Sequence, residues 1–161
     1  WAIKEMAKFD GPVYIRLARV ATPVIYNENQ EFEIGKMVQI GDGTDATVFA
    51  TGVEVAEALK AKEELEKENI NIRVVDVHTI KPIDKEMIIK CAKETKKLIT
   101  IEDHSVIGGL GTAVCEVLSV ECTTKVIRMW MQDRFVKSGK AEQLLKYFKL
   151  DSQAIIDKVK E

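Results

Sequence analysis

Cysteine is scarce and unpatterned in this chain: there are three in 161 residues, at 91, 115 and 122, and no Cys-x-x-Cys occurs. A thiol-rich zinc site is therefore unsupported. If one helix carries Cys115 and Cys122, they stand about two turns apart, roughly 10 Å, which is too far for a bridge. An odd, unpaired set suits a reducing compartment, and a cytoplasmic location is expected. Excess charge of one sign is also lacking. Lys and Arg number 24 against 26 Asp and Glu, for a formal net charge of −2. The two signs are interspersed, so no basic footprint for nucleic acid or other polyanions is present. Long apolar runs are absent too. The uncharged stretch from His104 to Cys115 is far short of the ~20 residues that cross a bilayer, and no basic-apolar-small leader opens the chain. Neither nucleic acid nor membrane is an expected partner.

What remains is enough for one core, since 46% of the residues are hydrophobic. The stretch Leu98 to Gly111 organises the rest: a short β-branched run to Ile101, then Glu102-Asp103-His104, then Gly108-Gly109-Leu110-Gly111. The run suits a buried strand that the acids and His104 terminate. From Leu110 the apolar positions Leu110, Ala113, Val114, Val117 and Leu118 fall on one face of an amphipathic helix.

The same strand-to-helix alternation recurs upstream. Residues 36–40 and 46–51 read as strands joined by the turn 41–45, a spacing that predicts antiparallel pairing between them. Thr51-Gly52-Val53-Glu54 has the form of a capping box, opening a helix to about Lys67 with Val55, Leu59 and Leu65 inward. Ile72 to Val77 is the next strand, and Asp84 caps a helix with Ile88, Cys91, Ala92 and Thr95 inward. Lys125 to Met131 supplies the last strand. Two closing helices follow, one with Ala141, Leu144, Leu145 and Phe148 inward, the other capped by Asp151 with Ile155, Ile156 and Val159 inward. This order predicts an α/β fold with a mostly parallel sheet covered on both faces.

The beginning is different. Residues 1–9 are already in helical rhythm without an initiating methionine, and Val13 to Leu17 reads as a strand with no sheet of its own. The chain therefore looks cut from something longer. Residues 20–35 lack periodicity and read as a surface linker, which places a domain boundary near residue 35.

Candidate chemistry is thin. Gly108 to Gly111 at a strand-to-helix junction could hold an anion on free amides, but the Gly-x-Gly-x-x-Gly spacing and the acid about twenty residues on are both missing. Packing is the favoured role for Gly108 and Gly109. Glu102, Asp103 and His104 alternate in direction on an extended chain and do not converge by themselves, so a partner-contacting turn is favoured over a catalytic one. His78, alone at a strand end, reads as a hydrogen-bonded structural residue. No Ser-His-Asp or Cys-His arrangement can be assembled. Arg16 and Arg19 leave the first strand three residues apart, and either could fork a phosphate or form a surface ion pair.

Four ordered segments, residues 50–59 (ATGVEVAEAL), 75–84 (VDVHTIKPID), 102–111 (EDHSVIGGLG) and 133–139 (DRFVKSG), together resemble the C-terminal domain of transketolase-type enzymes. Deoxyxylulose-phosphate synthase and the beta subunits of 2-oxo-acid dehydrogenases share that domain, and the small subunit of split transketolases is most similar. The resemblance implies a three-layer α/β/α domain over residues 36–161 with a five-stranded mixed sheet whose first strand is antiparallel. It implies that residues 1–19 are the tail end of a preceding pyrimidine-binding domain. The full enzyme would be a homodimer that moves a two-carbon ketol unit between sugar phosphates with thiamine diphosphate and Mg2+, both held by domains outside these residues. This portion would then be structural and inactive alone, with Arg19, or its neighbour Arg16, meeting the sugar phosphate. The rival expectation is a stand-alone anion- or nucleotide-binding regulatory module that uses the Gly108–Gly111 helix start.

Overall fold

The computed structural model describes residues 1–161. Its elements are α1 (Ala2–Met6), β1 (Val38–Ile40), β2 (Ala46–Ala50), α2 (Glu54–Glu66), β3 (Ile72–Asp76), α3 (Lys85–Glu94), β4 (Leu98–Ser105), α4 (Leu110–Glu121), β5 (Val126–Met131), α5 (Ala141–Phe148) and α6 (Ser152–Lys160). The sheet order is β1-β3-β2-β4-β5. β1 runs antiparallel to β3, and the other pairings are parallel.

The three layers follow from side-chain alternation along the central strands. Ala46, Val48 and Ala50 of β2, Ile72 and Val74 of β3, and Ile99 and Ile101 of β4 face α2 and α6, against Val55, Ala58, Leu65, Ile155 and Ile156. The alternate residues Phe49, Val75 and Leu98 face α3 and α4, against Ile88, Cys91, Leu110, Val114 and Val117. Every residue of β2 and β3 is buried, including Thr47, Arg73 and Asp76. Lys97 ties one layer to another by donating to the carbonyl of Val159, 2.8 Å, at the last turn of α6.

Several sequence expectations are corrected here. β1 does not pair with β2 across the 41–45 turn; it pairs with β3, because a central strand buried on both faces needs a neighbour on each edge and β4 already occupies the far side of β2. Thr51 and Glu54 form no capping box: α2 has no side-chain cap, and Glu54 points inward instead. Strand β4 does not stop at Ile101 but runs through Glu102, Asp103 and His104 to Ser105. Val13 to Leu17 pairs with no strand. It is an extended segment with Tyr14 and Leu17 exposed. In α5, Leu144, Leu145 and Phe148 are half-buried, while Ala141 is exposed.

The 20–35 linker is less detached than its composition implied. Tyr26 Oη donates to Asp76 Oδ2 at 2.7 Å. Phe32 packs edge-on against Tyr26 and His78, and Trp1 joins His78 from the start of the chain. Asp84 caps α3 through the amide of Met87, and Asp151 caps α6 through Ala154, both as expected.

Candidate functional site

The carboxyl ends of the parallel strands gather the polar groups, as open α/β sheets do. The first of these is Glu102. Its side chain is 2% exposed, and its two oxygens accept from the amides of Leu110 at 2.8 Å and Gly111 at 2.9 Å. These are free donors of the first turn of α4, at the positive end of its dipole. The helix start therefore already carries an anion, and that anion is part of the chain.

The glycines are explained by the same contact. A Cβ on Gly109 would fall inside the Glu102 carboxylate, and one on Gly111 would press on Arg128 Nε and Thr100 Oγ1. Gly108 has open space around it but a φ of +72°, so there the backbone, not crowding, favours glycine. Arg128 locks the loop from outside by donating to the Val106 carbonyl at 2.6 Å and to Thr112 at 3.0 Å, with its guanidinium 4.5 Å over Trp130.

Asp103 and His104 converge with help from far away in sequence. Arg16 donates through Nη2 to Asp103 Oδ1 at 3.1 Å and places Nη1 2.9 Å from His104 Nδ1. Arginine only donates, so Nδ1 is the accepting nitrogen and Nε2 carries the ring proton. The contact between residues 87 and 88 positions apart left no local signal. Arg19 is exposed, three residues beyond Arg16. The structure thus brings Arg16, Asp103 and His104 together and keeps Glu102 to the helix.

Glu54 is the residue that sequence reading missed. It is fully buried and neither carboxyl oxygen has a hydrogen-bond partner. Burial first, and then the charges of Asp103, Glu57 and Asp151, push its pKa up to about 9. It is protonated at neutral pH. The apolar pattern Val53, Val55, Ala56 around a lone acid was the available hint, and the capping-box pattern obscured it.

At the end of β3, burial raises the Asp76 carboxyl and lowers the His78 imidazole. The Tyr26 phenol is pushed above its usual range by burial and by Asp76. His78 Nδ1 meets Thr79 Oγ1 at 2.9 Å, in keeping with a structural histidine. No three His, Cys, Asp or Glu side chains are grouped to hold a metal ion, and no helix is long and apolar enough to cross a membrane.

The family model for the transketolase C-terminal domain matches residues 35–155. A Methanocaldococcus jannaschii protein provisionally called a transketolase C-terminal section is 46% identical over 162 residues, covering 99% of this chain and 50% of that protein. The 6-deoxy-6-sulfo-D-fructose transketolase subunit SqwH of Clostridium sp. (strain MSTE9) is 41% identical, covering 96% of this chain and 48% of that subunit. Rat transketolase is 40% identical, covering 99% of this chain and 26% of that enzyme. Among solved structures, a split-gene transketolase in an inactive β4 tetramer superposes with a TM-score of 0.93 at 40% identity, over 99% of this chain and 52% of that one. The chain spans about half the length of the first two relatives.

Two outcomes follow from the geometry. Glu102→Ala leaves two buried helix amides without an acceptor, and it should destabilise the domain by about 2–4 kcal/mol in urea unfolding; a loss below about 0.5 kcal/mol would mean that the contact is dispensable. For Glu54 the folded pKa lies above the unfolded one, so folding takes up a proton between them, and stability falls as pH rises from about 4.5 to about 9. The melting temperature of Glu54→Gln minus that of wild type should grow across that window. A difference independent of pH would contradict the buried, protonated acid.

Proposed function

This chain belongs to the transketolase C-terminal domain family, and from that premise we propose that it is the C-terminal, non-catalytic portion of a thiamine diphosphate-dependent transketolase. The enzyme would transfer a two-carbon ketol unit between sugar phosphates, in the cytoplasm, as a homodimer of the complete assembly. Its partner is the portion that carries the pyrimidine-binding domain, to which residues 1–19 connect.

The observation that carries this reading is the likeness, over 99% of the chain, to one chain of a split-gene transketolase. That relative was solved as an inactive β4 tetramer, which supports the view that such a portion needs its counterpart for activity. Residues of this chain do not fit thiamine diphosphate or its metal. The glycine-lined helix start that could cradle a diphosphate is filled by Glu102, and its first amides are already bonded. The cofactor, which makes the ketol carbon nucleophilic, belongs to the counterpart, and no step of the reaction runs through this chain's buried groups. The rival reading, a stand-alone anion- or nucleotide-binding module at Gly108–Gly111, finds no support in the comparisons, and Glu102 supplies the physical reason.

The chain's own contribution would be positional. Arg19, exposed beyond the extended segment, is the group we place on the sugar phosphate, as a charge-assisted donor pair. Mixing this chain with the thiamine-binding counterpart should produce ketol transfer that neither shows alone. In the mixture, Arg19→Ala should raise the apparent KM for a phosphorylated ketose by roughly tenfold. Turnover by the isolated chain would overturn the non-catalytic role, and an unchanged KM would remove Arg19 from the site.

A further inference from the structure

We propose that Arg16 is a positioning residue: it clips the extended segment 11–19 to the end of β4 through Asp103 and His104, and thereby sets where Arg19 presents its guanidinium. This rests on the reading of Arg19 as the sugar-phosphate contact. It also takes Arg16 out of direct phosphate binding, the alternative that its spacing from Arg19 left open.

The segment itself has little to hold it. It pairs with no strand, and most of its large side chains are turned to solvent, with Tyr14 86% and Leu17 70% exposed and only Ile15 half-buried. Arg16 makes the polar tie, and it does so with both ends of its fork, one Nη on a carboxylate and the other on an imidazole nitrogen. A guanidinium committed in this way has its best geometry spent on the protein.

The other side of the tie is anchored. Asp103 and His104 lie in the bulged end of β4, between the paired residues Ile101 and Ser105, and the adjacent Glu102 is bonded into the first turn of α4. A fixed line therefore runs from α4 through Glu102 and β4 to Arg16. From there Arg19 is three residues on, at most ~10 Å away along the backbone. The Arg16–Asp103 pair is itself half exposed, 48% and 36%, so it adds little to stability. Its effect lies in location. A side chain held near its working position loses less freedom when the phosphate arrives, and that difference appears in substrate affinity rather than in folding.

The test uses the reconstituted enzyme with two ketose donors, one phosphorylated and one not. Arg16→Gln should raise the KM for the phosphorylated donor relative to the unphosphorylated one by roughly tenfold, with a much smaller change in kcat. Asp103→Asn, which breaks the same clip from the β4 side, should do likewise, and thermal unfolding of both should stay close to wild type. Arg16→Gln combined with Arg19→Ala should be no worse than Arg19→Ala alone, because the first acts through the second. Additive losses would mean that Arg16 meets the phosphate itself, and equal losses with both donors would mean that the clip is merely structural; either result overturns the proposal. A silent Arg16→Gln beside a damaging Arg19→Ala would overturn it while leaving the Arg19 assignment standing. If Arg19→Ala is silent too, both fall.

Discussion

A single carboxylate joins the two halves of this domain's polar end. Glu102 sits in the sheet, yet both of its oxygens are spent on the first turn of α4. An unpaired carboxylate at that depth would be costly, and unpaired amides on a buried helix start would be costly as well. Each removes the other's penalty. The residues around them are constrained in turn: Gly109 and Gly111 must lack side chains, because the Glu102 carboxylate fills that space at Gly109 and Thr100 and Arg128 fill it at Gly111. What looks like a ligand loop in one dimension is a tightly filled joint in three.

The joint also fixes the strand end that carries Asp103 and His104. β4 continues past Glu102 to Ser105, which pairs with Met131, so these two residues sit in a bulge bounded by paired strand on both sides, where a distant arginine can grip both. The opposite face holds Glu54, an acid kept neutral by its surroundings and influenced first by burial and then by Asp103. The carboxyl edge of the sheet thus combines one acid whose charge is satisfied by a helix, one satisfied by an arginine, and one that gives up its charge. Three local environments produce three outcomes for the same functional group.

Much of the fold could be read from residue periodicity. Leu110, Val114, Val117 and Leu118 are buried together because a 3.6-residue repeat places them on one side, and the caps at Asp84 and Asp151 lie within three residues of the amides they serve. Such features are local, so the sequence shows them. Pairing of β1 with β3 depends on which edge is left free once β2 and β4 are in place, and nothing within residues 36–51 records that. The end of β4 was misjudged for a related reason: Glu102 looks like a strand terminator until the amides eight and nine residues on are brought to it. Glu54 matched a capping pattern whose geometry the chain does not use. Arg16 was visible as a residue of interest, but its partners lie 87 and 88 positions away. The transketolase-type likeness rested on four ordered motifs, and two of these, at 102–111 and 75–84, hold dense packing and capping contacts.

The central claim is that the α4 helix start is satisfied from within. Hydrogen exchange of the Leu110 and Gly111 amides, followed by NMR with and without inorganic phosphate, tests it most directly. Strong protection in the free protein that phosphate does not change is the expected result. Rapid exchange of these two amides, slowed when phosphate is added, would contradict it.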